Sequence, residues 1–183
     1  MPKLERLLDD RWVTFSHPRT YVRETLRDGS ERLAIGLSAE DGALFGRLLE
    51  VLSPPFLLLY LQLIPRGEAG IGRYQSPELS AEAVQDFLKE FGDYLAGDPW
   101  HDLWAYSPGR KATLVWDRHD IIYAYGPLDR FETLLDASAF TKGPPRIPSP
   151  HAHQRRASFD SVPGTLLQRF DWRRSDLRPE DAQ

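Results

Sequence analysis

Residues 100–135 constrain the fold most. They read WHDLWAYSPGRKATLVWDRHDIIYAYGPLDRFETLL. Three runs rich in aromatic and β-branched residues (102–106, 111–116 and 121–125) are separated by Ser107-Pro108-Gly109 and by Asp117-Arg118-His119-Asp120. Such runs suit a pleated surface, and Pro, Gly and Asp supply the backbone angles of tight turns. The spacing predicts an antiparallel meander. Gly126-Pro127 then opens a helix, because Pro at the first helical position forfeits no hydrogen bond. Its buried side is Leu128, Phe131, Leu134 and Leu135.

The same reasoning extends outward. Residues 3–9 suggest one or two helical turns, and 11–15 (RWVTF) a strand. Asp28-Gly29 between two extended runs signals a hairpin. Ser38 reads as the cap of a helix over 39–52, with Leu44, Phe45, Leu48, Val51 and Leu52 at helical spacing. Pro54-Pro55 ends that helix, and 56–64 is apolar enough for a strand buried on both faces. A glycine- and proline-rich stretch over 65–79 reads as a long surface loop. Ser80 caps the clearest helix, over 81–96, whose stripe is Val84, Phe87, Leu88, Phe91 and Leu95. The expectation is an α+β domain over residues 1–142: an antiparallel sheet of five or six strands packed on about three helices. Residues 143–183 carry six of the 15 prolines and read as a proline-rich C-terminal arm with a short docking helix within 162–172.

Composition removes several function classes. There is no cysteine, which rules out disulfides and thiolate metal sites and fits a reducing compartment. The most apolar run, PFLLLYLQLI, is half the length of a membrane helix, and the first ten residues lack the features of a secretory signal. A cytoplasmic protein with no membrane association is expected. The net charge is -4, and residues 143–183 carry seven Lys/Arg against five Asp/Glu, which leaves -6 on the rest. That balance disfavours nucleic acid as a partner.

Gly67-x-x-Gly70-x-Gly72-Arg73 follows an apolar strand but lacks the Gly-Lys-Ser/Thr of a phosphate loop, and Pro77 separates it from the next helix. No nucleotide or other cofactor is expected. Arg66, Arg73 and Tyr74 on that loop have the character of interface anchors. Tyr123 and Tyr125 alternate onto one sheet face, and they offer a second sticky surface if no helix covers it. His101, Asp117, His119 and Asp120 fall near one end of the meander, where a His/Asp cluster could assemble for acid–base work. Asp is also what hairpin turns prefer. His151-Ala-His153 places two imidazoles on one side of an extended strand, but no third histidine or acid lies close in sequence, so no metal is expected. A Gly-x-Ser-x-Gly elbow is absent.

Two functional expectations follow. The first is a non-catalytic, cytoplasmic protein-binding or accessory (immunity-like) protein. Its partner is another protein, with a homo-oligomer also compatible with the aromatic face. The second is a small hydrolase-type enzyme using the His/Asp cluster at the sheet edge.

Overall fold

The computed structural model describes residues 2–67 and 69–182. β1 (Leu4–Leu8) and β2 (Arg11–Phe15) form a hairpin through Asp9 and Asp10, both at positive φ (49° and 58°). Two left-handed residues in succession make the turn whose twist matches that of paired strands, and Asp tolerates that backbone. Leu4–Leu8 is therefore a strand where helical turns were expected over 3–9. Pairing across this turn, together with a third strand from far along the chain, outweighs the local helical tendency.

β3 (Thr20–Thr25) and β4 (Glu31–Gly36) form the hairpin expected at Asp28-Gly29. α1 (Leu44–Glu50) begins well after Ser38. The backbone N–H and hydroxyl of Ser38 both donate to Asp41 Oδ2, at 2.9 and 2.5 Å, so Ser38 closes a local turn and does not cap the helix. β5 (Leu57–Gln62) follows, then β6 (Gly72–Gln75), which interrupts the expected surface loop. α2 (Ala81–Gly97) is capped as its sequence implies, with Ser80 Oγ accepting from the Ala83 N–H at 3.1 Å. The meander is β7 (His101–Ser107), β8 (Ala112–Trp116) and β9 (Ile121–Tyr125), and α3 (Leu128–Ala137) closes it.

Nine strands form one sheet in the order β10-β3-β4-β9-β8-β7-β5-β6-β12, where β10 is Thr141–Lys142 and β12 is Arg173–Ser175. Every pairing is antiparallel except β10 with β3. β11 (His151–His153) joins β1 and β2 in a second, three-stranded sheet. With α4 (Val162–Gln168), there are four α-helices among the described residues. The α+β class with a mostly antiparallel sheet is as expected. The sheet is larger than the five or six strands expected, because the added strands are short edge pieces with little local signal.

One face of the large sheet forms the core. Leu33 and Ile35 of β4, Tyr60 of β5, Leu103 and Ala105 of β7, Leu114 of β8 and Ile122 and Ala124 of β9 pack with Leu48, Phe87, Phe91, Phe131 and Leu135 of the helices. Each such side chain contributes roughly 1.5–3 kcal/mol when fully buried.

The segment after 143 is bound to this core. Phe159 and Leu166 are buried in it. Arg66, 3% exposed, sits between Asp98 (Nη1–Oδ2 2.5 Å) and Asp160 (Nε–Oδ1 3.1 Å) and donates to the Arg156 carbonyl. Arg156 in turn donates to the carbonyls of Gly97 and Pro2. A Cβ at Gly97 would come within 2.9 Å of the Phe159 ring, so the close approach requires glycine there. No helix among the described residues is long and apolar enough to cross a membrane.

Candidate functional site

Alternation along a strand sends every second side chain to the face away from the helices. On β7 these are Asp102, Trp104 and Tyr106; on β8, Thr113 and Val115, with Asp117 just beyond; on β9, Tyr123 and Tyr125. Trp104 lies opposite Val115, and Val115 opposite Tyr123, so the aromatic rings flank an aliphatic centre. The result is a groove of about 630 Å³, with Ile147 and Glu180 of the C-terminal segment also lining it. The Arg32 guanidinium lies 4.1 Å from the Tyr123 ring centroid and donates to the Tyr125 hydroxyl at 3.1 Å and to Glu24 at 2.9 Å. This face already holds a cation over an aromatic ring.

One end of the groove is acidic. Asp117 is fixed by its own turn: Oδ1 accepts the backbone N–H groups of His119 (2.8 Å) and Ile121 (2.9 Å), and Oδ2 lies 3.0 Å from His119 Nδ1. Asp102 accepts the Arg118 N–H at 2.9 Å. Burial first, and then the charge of Asp117, push the Asp102 carboxyl up to about 6, against the pull of Lys3 and Arg118. Two carboxylates thus share a partly desolvated corner, and one of them readily holds a proton.

The four residues of the expected His/Asp cluster separate. Asp117 and His119 stay together and line the groove. Asp120 lies in the same turn but is bound inward: it accepts the Lys3 backbone N–H at 3.1 Å and sits 3.6 Å from Lys3 Nζ. That buried ammonium also donates to the Asp117 carbonyl at 3.0 Å and stands 4.7 Å over the Trp116 ring. Asp120 is a structural counter-ion. His101 points to the opposite face of β7. It is buried between the rings of Tyr60 and Tyr94, at 5.4 and 4.7 Å, with Asp98 3.7 Å from its Nδ1. Burial is the largest cause of its fall to about pKa 4, which keeps the ring neutral at pH 7.

The loop residues also divide from the groove. Arg66 is the buried clamp described above. Tyr74 is 7% exposed and donates to the Gly70 carbonyl at 2.8 Å. Arg73 bonds Asp181 at 2.5 Å and holds the final 3-10 turn, Pro179–Ala182. Of the five expected binding residues, Tyr123 and Tyr125 line the groove. Asp102, which lies beside His101 in the sequence, and Trp104, whose large apolar area reads as core, also line the groove, and two-residue alternation from Tyr106 and across to Tyr123 carries the signal.

A second arrangement touches the groove at His119. Its ring lies 5.5 Å from that of His151 and 5.2 Å from that of His153, and those two are 5.4 Å apart. One nitrogen from each ring falls within 4.8 Å of the others, which gives these three, among the described residues, the spacing to hold a metal. Burial, and then the neighbouring imidazoles, push His153 down to about 4.

Comparison with known protein families, with characterised proteins and with solved structures found no match. The site's chemistry is therefore read from its own geometry.

Proposed function

We propose that this chain is a non-catalytic, cytoplasmic accessory (immunity-like) protein that receives a basic, aromatic-containing stretch of a partner protein in the outer-face groove. The observation that carries this reading is the combination of an aromatic wall and a carboxylate pair in one groove. Trp104, Tyr123, Tyr125 and Ile147 supply apolar surface, while Asp102 and Asp117 supply charge. A guanidinium or ammonium arriving there relieves the repulsion between the two carboxylates and favours the ionised form of Asp102. A volume of about 630 Å³ suits a few side chains, and the net charge of -4 favours approach of a basic partner.

Trp104 provides the readout. Titration of the chain with Arg/Tyr-containing peptides should change tryptophan emission saturably, and acidic peptides of matched length should not. Tyr123→Ala should weaken binding at least tenfold, which is about 1.4 kcal/mol. Equal response to basic and acidic peptides, or no effect of Tyr123→Ala, overturns the reading.

One observation favours a hydrolase as the second reading. Asp102, its carboxyl pushed up to about 6 chiefly by burial, shares the cavity with Asp117 and His119, which places a carboxyl that protonates in mildly acidic solution beside a candidate base. Turnover of chromogenic ester, phosphate or glycoside substrates that Asp102→Asn abolishes would favour it over the binding reading.

A further inference from the structure

The grouping of His119, His151 and His153 goes beyond the groove's partner and does not depend on it. β11 pairs with β1 through Ala152 opposite Glu5, which directs His151 and His153 to the same side of the strand. The turn after β8 carries His119 against them from a different part of the chain.

Two of the three rings are oriented by hydrogen bonds at Nδ1. His119 Nδ1 faces Asp117 Oδ2 at 3.0 Å, and His151 Nδ1 faces the Pro148 carbonyl at 3.0 Å. Both partners only accept, so each Nδ1 carries the proton and each Nε2 presents a lone pair. Asp117 is itself held rigid by two backbone N–H donors on its other oxygen. A carboxylate that fixes an imidazole in this way is the usual outer support of a metal-ligating histidine. The third ring, His153, has a buried Nδ1 with no hydrogen-bond partner. A buried ring nitrogen without a protein partner is available to a ligand such as a metal ion.

We infer that His119, His151 and His153 bind one divalent transition-metal ion, zinc being the best fit. An all-imidazole set suits zinc and its neighbours, whereas calcium and magnesium require oxygen ligands. Tetrahedral zinc at roughly 2.0–2.1 Å from each nitrogen needs those nitrogens roughly 3.4 Å apart. Nitrogens already within 4.8 Å reach that spacing by small ring rotations. Three protein ligands leave a fourth coordination position, for water or a ligand atom. Because His119 also lines the groove, the ion sits at the groove's end. It also ties β11 to the 117–120 turn.

The untagged full chain, stripped with a chelator and dialysed, should be titrated with cobalt(II) as a spectroscopic probe and then with zinc. The expected result is one equivalent of cobalt with the visible bands of a low-coordinate site, displaced by zinc, and a rise in melting temperature with zinc. His119→Gln, His151→Gln and His153→Gln should each weaken binding at least tenfold. Asp117→Asn keeps all three ligands and should weaken it about 10–100-fold. Near-UV circular dichroism of each metal-free variant establishes that it is folded. Absence of stoichiometric binding overturns the inference. So does a folded His119→Gln variant that binds as tightly as the parent, since the other two histidines would then form an adventitious chelate. Peptide binding measured with chelator present reports on the groove reading separately.

Discussion

Asp102 and His101 are neighbours in sequence with opposite fates, because successive strand residues face opposite sides. His101 enters the aromatic core as a neutral ring, and Asp102 enters the groove beside Asp117. Sequence placed His101 and His119 at one end of the meander, but a shared end is not a shared face. The raised pKa of Asp102, about 6 against 3.8 unfolded, has a definite sign. The folded state holds this proton more tightly, so the group's stabilising contribution is full below pH 3.8 and is lost as pH rises through 6. Above that, the buried charge costs up to about 3 kcal/mol. Asp102→Asn should therefore raise stability by about 1–3 kcal/mol at pH 8 and change it little at pH 3.5, as measured by urea unfolding at both values. It should also weaken binding of basic peptides, since it removes one of the two carboxylates.

At the scale of elements, legibility followed the range of the interactions. β7, β8, β9, α2 and the β3–β4 hairpin were readable because turn residues and periodicity act within a few positions. β11 and β12 were not readable. Each is three residues long, and their partners are β1 and β6, far back along the chain. The histidine grouping was hidden for the same reason: the His-x-His pair was visible, but only the pairing of β11 with β1 brings His119 beside it. The loop over 65–79 was misleading in a different way. Its glycines and exposed-looking arginines suggested a mobile binding loop, whereas Arg66 fastens the C-terminal segment to α2 through Asp98 and Asp160. Arg66→Ala would leave Asp98 buried without its cation, a loss of about 3–5 kcal/mol. Urea unfolding should register that loss, and limited proteolysis should cut within 143–160 before any site in the meander. A variant within about 1 kcal/mol of the parent and equally resistant would mean that the clamp is not what holds the segment.

Over the whole molecule, the large sheet divides the labour between its faces. The helices cover one face and complete the core. The other face is only partly covered: the N-terminal hairpin, the 117–120 turn and the C-terminal segment meet at one end of it, and Trp104, Val115, Tyr123 and Tyr125 stay half-buried along the groove. A competing cavity of about 280 Å³ lies between α1 and α2, lined by Gly46, Gln85 and Leu88. It is smaller and offers no paired carboxylates. The central claim is that recognition belongs to the outer face. It is tested most directly by nuclear magnetic resonance of the isotope-labelled full chain titrated with a basic, aromatic-containing peptide. The prediction is that shift changes concentrate at Trp104, Val115, Tyr123, Tyr125 and Ile147, with the Asp102 carboxyl titrating at lower pH in the complex. Changes centred instead on Gly46, Gln85 and Leu88, with the outer face unmoved, would contradict it.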